Sequence, residues 1–327
     1  MITTLNRRHL IALALTAGAS FTSLPAFAQA SSPLRVLLPV GPGSGVDAIV
    51  RAAQGALSKA LGGQAVIIEN LPGAGGITGT QALVKAAPDG NTIAFISNNH
   101  AVNPSVFKKL PYDSLGDITP ISVVGGSHFV LVVNPKSVPA RNAKDLQAFL
   151  KAKPEHYNYG SSGNGTIIHL AGEMFVDAAG VKVKHIPYKG MGPLITDIIG
   201  GQVELGVSAV QAVQGHLKSG ALHAIGVMGK QRIPSLPDLP TIAEQGFADV
   251  DVAGWFAVVA PKGLPAPQVK RLHDAVVAAF NDPEVRTAMT RQDNFINPTT
   301  PEAAAQFLKT EQNRYARLVK QAGITME

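Results

Sequence analysis

The sequence predicts an α/β fold organised as two domains. Three observations lead there. Apolar strand-like runs alternate with helical patterns along most of the chain, the final part carries helical patterns without matching strands, and 327 residues are enough to bury two cores. Strand and helix in alternation predict, for each domain, a mostly parallel sheet flanked by helices.

The elements follow in order. The run "LRVLLPV" (34–40) is a strand that feeds a helix from about Val46 to Leu61. "AVIIEN" (65–70) precedes a Gly-rich turn and a helix to about Ala86, and "NTIAFISN" (91–98) is the next strand. The alternation resumes with "HFVLVVN" (128–134), a helix near 142–152, the short strand "YNYG", and a helix after Thr166. "VKVKHIPY" (181–188), a helix near 192–200, "VELGVSA" (203–209), a short helix to Lys218 and "LHAIGVMG" (222–229) complete this part. After "VAGWFAVVAP" (252–261) only helices are expected, at about 265–280, 282–291 and 301–322. Helices with no strands of their own must cover a sheet laid down earlier. They are therefore expected to return to the first domain and make it discontinuous, with crossings near Asn134-Pro135 and around Val250–Gly254.

The first 28 residues read as an export signal: Arg7 and Arg8, an apolar stretch from Leu10 to Ala19, then Ala26-Phe27-Ala28 as a small-x-small cleavage pattern. The apolar stretch is far short of the ~20 residues that span a bilayer. The adjacent arginines loosely resemble a twin-arginine signal, but the flanking residues of that signal are missing, so the general and twin-arginine routes both stay open. Cleavage after Ala28 would place the mature chain in the periplasm.

Composition narrows the chemistry. Hydrophobic residues make up 46% and charged residues 15%, a balance that suits a folded globular chain. The formal charge of +6 includes the two signal arginines, and the basic residues are scattered. A mild positive excess fits a small anionic ligand and excludes a nucleic-acid footprint. With no cysteine there are no disulfides, thiol nucleophiles or cysteine-ligated metals.

One feature recurs: a strand, a Gly/Ser-rich loop, then a helix. It occurs at 37–51, at 67–83 and again at "YNYGSSGNGTIIHLAGEMF" (157–175). Such loops present unpaired backbone N–H groups and the positive helix end at the carboxyl edge of a sheet, where ligands of open α/β sheets bind. Three readings of the third loop compete: a nucleophilic serine, a phosphate cradle and a grip for another anion. The P-loop pattern is absent, no G-x-S-x-G elbow surrounds Ser162 or Ser208, and Gly43-x-Gly45-x-x-Ala48 is only a loose dinucleotide fingerprint. The nine histidines show no metal-ligand spacing, and no cofactor motif is present. The anion grip remains, with Ser161, Ser162 or Thr166 and the loop N–H groups as donors to a carboxylate. Asp47, in the first turn of its helix, suits the helix dipole, and His169 suits a packing or hydrogen-bonding role one turn into its helix.

The ordered set "LPVGPGSGVD", "ENLPGAGG", "AAPDGNTIAFIS", "VNPSVFKKLPYD", "YGSSGNGTIIHLAGEMF", "HIPYKGMGPLITDIIGGQVE", "SLPDLPTIAEQG" and "WFAVVAPKGLP" resembles the Bug (Bordetella uptake gene) family, the extracytoplasmic solute receptors of tripartite tricarboxylate transporters. The resemblance spans about residues 33–324. It implies a two-domain periplasmic binding protein of type II-like architecture that closes about a hinge. Residues 29–131 and 253–327 would form domain 1, and 132–252 domain 2. It implies that Gly43, Ser44, Gly45, Val46 and Asp47, with Ser161, Ser162, Asn164, Gly165 and Thr166, hold one carboxylate, often through ordered waters. The stretch from Asn98 to His100, with Ser208 and Ala209, would shape the distal end of the pocket. The expected partners are a small organic carboxylate and a membrane permease, and the expected state is a monomer.

The chain departs from the family pattern in its first loop, where Val40 replaces an aromatic, Gly41 a proline and Ser44 a glycine. Ser208 stands where many members carry Asp, which predicts a di- or aromatic carboxylic acid without an α-amino group. His128 stands at a position usually apolar or small. Two other functions are kept open: a secreted hydrolase using Ser161 or Ser162 with His169, and a sensory receptor of the same fold that signals to a membrane kinase.

Overall fold

Two mixed β-sheets organise the computed structural model, which describes Ser32–Ile324; the expected signal segment lies outside the described residues. The first sheet contains β1 (Leu34–Leu38), β2 (Val66–Asn70), β3 (Thr92–Ser97), β4 (Ile118–Ser127), β10 (Gly254–Pro261) and β11 (Asn294–Ile296), in the order β11-β4-β10-β3-β1-β2. The second contains β5 (Phe129–Val133), β6 (Asn158–Ser161), β7 (Lys184–Pro187), β8 (Leu205–Ala209) and β9 (His223–Val227), in the order β7-β6-β8-β5-β9. The helices are α1 (Gly45–Ala60), α2 (Ile77–Val84), α3 (Asn98–Val106), α4 (Ala143–Ala152), α5 (Ile167–Ala179), α6 (Met191–Gly200), α7 (Val210–Lys218), α8 (Ala266–Asn281), α9 (Pro283–Arg291) and α10 (Pro301–Gln321). None of the described helices is long and apolar enough to cross a membrane.

The expectation of mostly parallel sheets needs correction. Parallel pairing holds β1 to β2 and β3, and β6 to β7 and β8. β10 is antiparallel to both β3 and β4, β11 to β4, and β5 to both β8 and β9. Parallel neighbours need a crossover within one sheet. β5 and β10 instead arrive directly from the opposite sheet, and each enters its new sheet antiparallel. The chain changes sheet at His128, between β4 and β5, and returns where Gly254 opens β10. Both strands are buried at every position, so they read as continuous apolar runs rather than alternating ones.

Gly125 and Gly126 explain how three strands meet at this crossing. A Cβ on Gly125 would lie 2.0 Å from the Phe295 carbonyl oxygen, and one on Gly126 would lie 2.0 Å from that of Gly254. Any side chain at either position would push β11 or β10 off β4. Three elements escaped the sequence reading: β4, α3 and β11. β4 carries Pro120 and the glycine pair, which read as breakers, while α3 is largely polar and encloses Pro104. β11 is only three residues long, and its presence corrects the expectation that 262–327 would hold helices alone.

The first sheet is covered on one face by α1, α8 and α9. Ile49, Val50 and Leu57 of α1 meet Leu272, Val276 and Phe280 of α8 over Val36, Phe95 and Val258. Each such burial stabilises the fold by about 1.5–3 kcal/mol. α10 lies on the opposite face with Leu308, Tyr315 and Val319 in a larger cluster, which also includes Leu131 and Tyr159 from the second sheet and Phe175 of α5. The C-terminal helices thus return to the sheet built by the first strands. α6 and α7 cover the second sheet through Leu194, Ile198 and Val213.

Candidate functional site

Five strand-to-helix junctions converge on one cleft: β1–α1, β3–α3, β6–α5, β7–α6 and β8–α7. Two connected cavities occupy it. The inner one, ≈ 190 Å³, lies between Gly45 and Val46 of α1, Asn98 and Asn99 of α3, Ser162 and Ile168 around the start of α5, and Ala209 and Gln211 at α7. Ser127, Phe129, Gly254 and Phe256 of the crossing strands form its floor. The outer one, ≈ 580 Å³, runs from Gly43 and Ser44 to Lys189, Gly190 and Met191, and shares Gly45, Met191, Ala209 and Gln211 with the inner one.

The junctions present helix N-termini whose capping is incomplete. Ser44 takes only the Asp47 N–H (3.3 Å), which leaves those of Gly45 and Val46 without a helix partner. Thr166 takes the His169 N–H (3.3 Å), and Ile167 donates to Asn99 Oδ1 (3.0 Å) across the cleft; Ile168 remains. No side chain caps α3, α6 or α7. Lys189, exposed at the outer rim, is the one charged side chain among the cavity linings. Positive helix ends, backbone donors and a single cation make an environment that holds anions. No group of His, Asp and Glu suited to a metal occurs among the described residues.

The structure divides the expected site residues into two sets. Gly45, Val46, Asn98, Ser162 and Ala209 line the inner cavity, and Gly43 and Ser44 the outer one. The others are turned away and hold the loops. The Asp47 carboxylate accepts from the Gly43 N–H (2.9 Å), Arg51 Nε (2.9 Å) and Asn70 Nδ2 (2.9 Å). Burial alone would raise its pKa, but these bonds outweigh burial and keep it below the usual carboxylate range. Ser161 is fully buried, bonded to His185 Nε2 (2.7 Å) and the Gly163 carbonyl (3.1 Å). The Gly165 N–H donates to His169 Nδ1 (3.1 Å), the Thr166 hydroxyl donates to the Gly163 carbonyl (2.8 Å), and Asn164 is exposed. Ser208 is fully buried and donates to the Ala209 carbonyl (3.1 Å). His100 faces away from the cleft, with Nε2 on the Ser114 carbonyl (2.7 Å) and its ring stacked on Tyr112. The side chain of Asn98 is consumed by Tyr315, the Ala253 carbonyl and the Trp255 N–H, so only its backbone is available to the cleft.

Behind the third loop, at 161–166, lies an aromatic stack. His169 and His185 are parallel, 3.8 Å between centroids, with Tyr159 over His185 and Glu173 bonded to the Tyr159 hydroxyl. Burial, then the neighbouring His169, pushes the His185 pKa down to about 4. This arrangement corrects the hydrolase pairing of Ser161 or Ser162 with His169. Ser161 pairs with His185 and lines neither cavity, while Ser162 bonds to Thr166 (3.3 Å). His128 and Trp255 line other cavities: His128 sits against Phe295, and Trp255 donates to Glu311 Oε2 (3.0 Å).

Asn99 falls within the expected 98–100 stretch and lines the inner cavity, whereas Lys189, Met191 and Gln211 are site residues that sequence reasoning missed. The available signal was position: Lys189 lies in the loop that joins β7 to α6, and Met191 and Gln211 lie in the first turns of α6 and α7.

The sequence profile of the TctC family, described as the tripartite tricarboxylate transporter family receptor, matches residues 49–324. A protein from the ttuE–ttuC′ intergenic region of Agrobacterium vitis is 34% identical over 325 residues, covering 96% of this chain and 91% of that protein. Protein BugT of Bordetella pertussis is 33% identical over 297 residues, covering 90% of each. Among solved structures, periplasmic binding protein BugD superposes with a TM-score of 0.82 at 31% identity, covering 90% of this chain and 99% of BugD. Rpa4515 of R. palustris with adipate gives 0.83 at 29%, covering 90% and 98%. MatC of Rhodopseudomonas palustris with bound malate gives 0.79 at 26%, covering 88% and 98%.

Proposed function

The chain belongs to the tripartite tricarboxylate transporter receptor family, and from that premise we propose that it captures a small organic carboxylate between its two sheets and delivers it to a membrane permease. The observation that carries this is the convergence of five helix N-termini, from both halves of the molecule, on a cleft whose lining holds no acidic side chain. A carboxylate bridging the first turns of α1 and α5 takes charge-assisted hydrogen bonds worth about 1.5–3 kcal/mol each. Because those donors belong to different sheets, ligand favours the arrangement that brings the halves together.

In this reading the chain is exported through a signal removed after Ala28, folds as two lobes hinged at the 127–129 and 252–254 crossings, and works as a monomer without catalysis. The ligand lacks an α-amino group: an ammonium would find no acid in either lining, and Ser208 is turned into the strand. Adipate and malate, bound by the two structural relatives, are carboxylates of this kind.

The test is a thermal-shift screen of the exported chain with mono-, di- and aromatic carboxylates and amino acids, followed by calorimetry and a turnover assay. Ligand at a hundred times its Kd adds about 2.7 kcal/mol. Stabilisation by carboxylates without consumption supports the reading. Strong preference for aspartate or glutamate removes the argument from Ser208, and turnover removes the receptor reading.

A further inference from the structure

Gln211 occupies the first turn of α7 and lines both cavities. Its Oε1 is sealed from solvent and has no hydrogen-bond partner in the protein. Its Nε2 lies against Gly45, so closely that a Cβ added there would be 2.6 Å away. One unpaired side-chain amide is thus pressed beside the residues that offer N–H groups to the carboxylate.

This combination is selective. A buried amide oxygen without a partner is unfavourable, and the loss is recovered only by a group that donates a hydrogen bond. Backbone donors are abundant around the cleft, and a carboxylate satisfies them without donating anything in return. An ammonium would donate, but it would stand unneutralised among helix N-termini, with Lys189 the only charge in the lining. A hydroxyl donates, accepts and carries no charge, so it pairs with the amide in either orientation.

Resting on the carboxylate reading of the same cleft, we propose that Gln211 selects hydroxycarboxylates: the grip holds the carboxylate, and the flexible Gln211 side chain turns its now sealed Oε1 into the cavity to accept from a hydroxyl close to it. A site built to hydrogen-bond a hydroxyl discriminates against the analogue that lacks it, because the analogue leaves the buried amide unpaired.

The experiment is calorimetry of the exported chain with three matched pairs: malate and succinate, lactate and propanoate, 3-phenyllactate and 3-phenylpropanoate. The expected result is that, in the pair the cavity accommodates, the hydroxy acid binds about ten times more tightly. In Gln211→Met, which keeps the length and removes the amide, that ratio falls to about one. Equal binding within every pair in the native chain, or a Gln211→Met variant that weakens both members alike, overturns the selection and leaves the carboxylate site standing. If no member of any pair binds, the selection and the carboxylate reading fall together. Circular dichroism of Gln211→Met confirms that the comparison is made on folded protein.

Discussion

Gly45→Ala separates binding from stability because its two effects have opposite signs. Gly45 opens α1 with φ outside the left-handed region, so alanine fits the backbone without strain. Reducing the freedom of the unfolded chain stabilises the folded state by about 0.4–1 kcal/mol, which raises Tm by roughly 1–3 °C in a chain of this size. The added methyl meets only one neighbour at close range, Gln211 Nε2 at 2.6 Å, and that flexible amide can swing aside. Its new position, and the methyl itself, take space from a cavity of ≈ 190 Å³ at the approach to the Gly45 and Val46 N–H groups. Loss of one charge-assisted bond, about 1.5–3 kcal/mol, weakens a carboxylate by about 10- to 150-fold. Scanning calorimetry of the ligand-free protein and titration with the best carboxylate from the screen give both numbers. A raised Tm with Kd unchanged within twofold would show that the first loop is not the grip.

Three further outcomes are expected. Asn99→Ala removes the acceptor of the Ile167 N–H across the cleft; small-angle scattering should show a larger ligand-free radius of gyration, and affinity should fall about 2- to 10-fold, whereas an unchanged radius refutes a latch. Lys189→Met should weaken binding a few-fold at low ionic strength and hardly at all near 0.5 M salt, as expected of an exposed charge steering an anion; a salt-independent loss would mean direct contact. His185 titrates at about 4 in the folded protein against about 6.5 unfolded, so between those values the unfolded state binds more protons. Its contribution is complete above about pH 6.5 and is lost as pH falls through about 4. The contribution is at most about 3 kcal/mol, nearer half that for a half-buried ring. His185→Gln keeps a partner for Ser161 and should flatten the Tm profile over that interval, while an unaltered slope would assign acid sensitivity elsewhere.

The sheets and most helices were legible because their signals are local: apolar runs of strand length, and caps such as Ser44, Thr166 and Thr300 ahead of amphipathic patterns. β4 and α3 were not, because Pro120, Pro104 and the Gly125–Gly126 pair look like breakers until a close strand contact or a short polar helix accounts for them. At the site, the loops were legible and the direction of their side chains was not. Ser161 and Ser162 are adjacent, and strand alternation sends only one of them to the cleft. Ser208 and Ala209 divide in the same way, and so, on α3, do Asn99 and His100. A one-residue difference in facing lies below what a sequence pattern resolves when both neighbours are polar or small.

The residues that looked most like ligands have a common task. The Gly43 N–H is taken by Asp47, the Gly163 N–H by Ser161 and the Gly165 N–H by His169. Each is a side chain accepting from its own loop, so the loop donors that do not serve the cleft are satisfied internally. The first-turn donors of the helices are left for the ligand. A grip made of backbone in this way does not depend on which side chains decorate the loop, so Val40, Gly41 and Ser44 can depart from the family pattern without removing it. In the proposed reading, ligand choice then rests on side chains that line the cavities, chiefly Gln211, Met191 and Lys189. Substitutions at Asp47, Ser161 or His169 should therefore lower stability and affinity together, whereas changes at Gly45 or Gln211 should alter affinity and ligand preference with the fold intact.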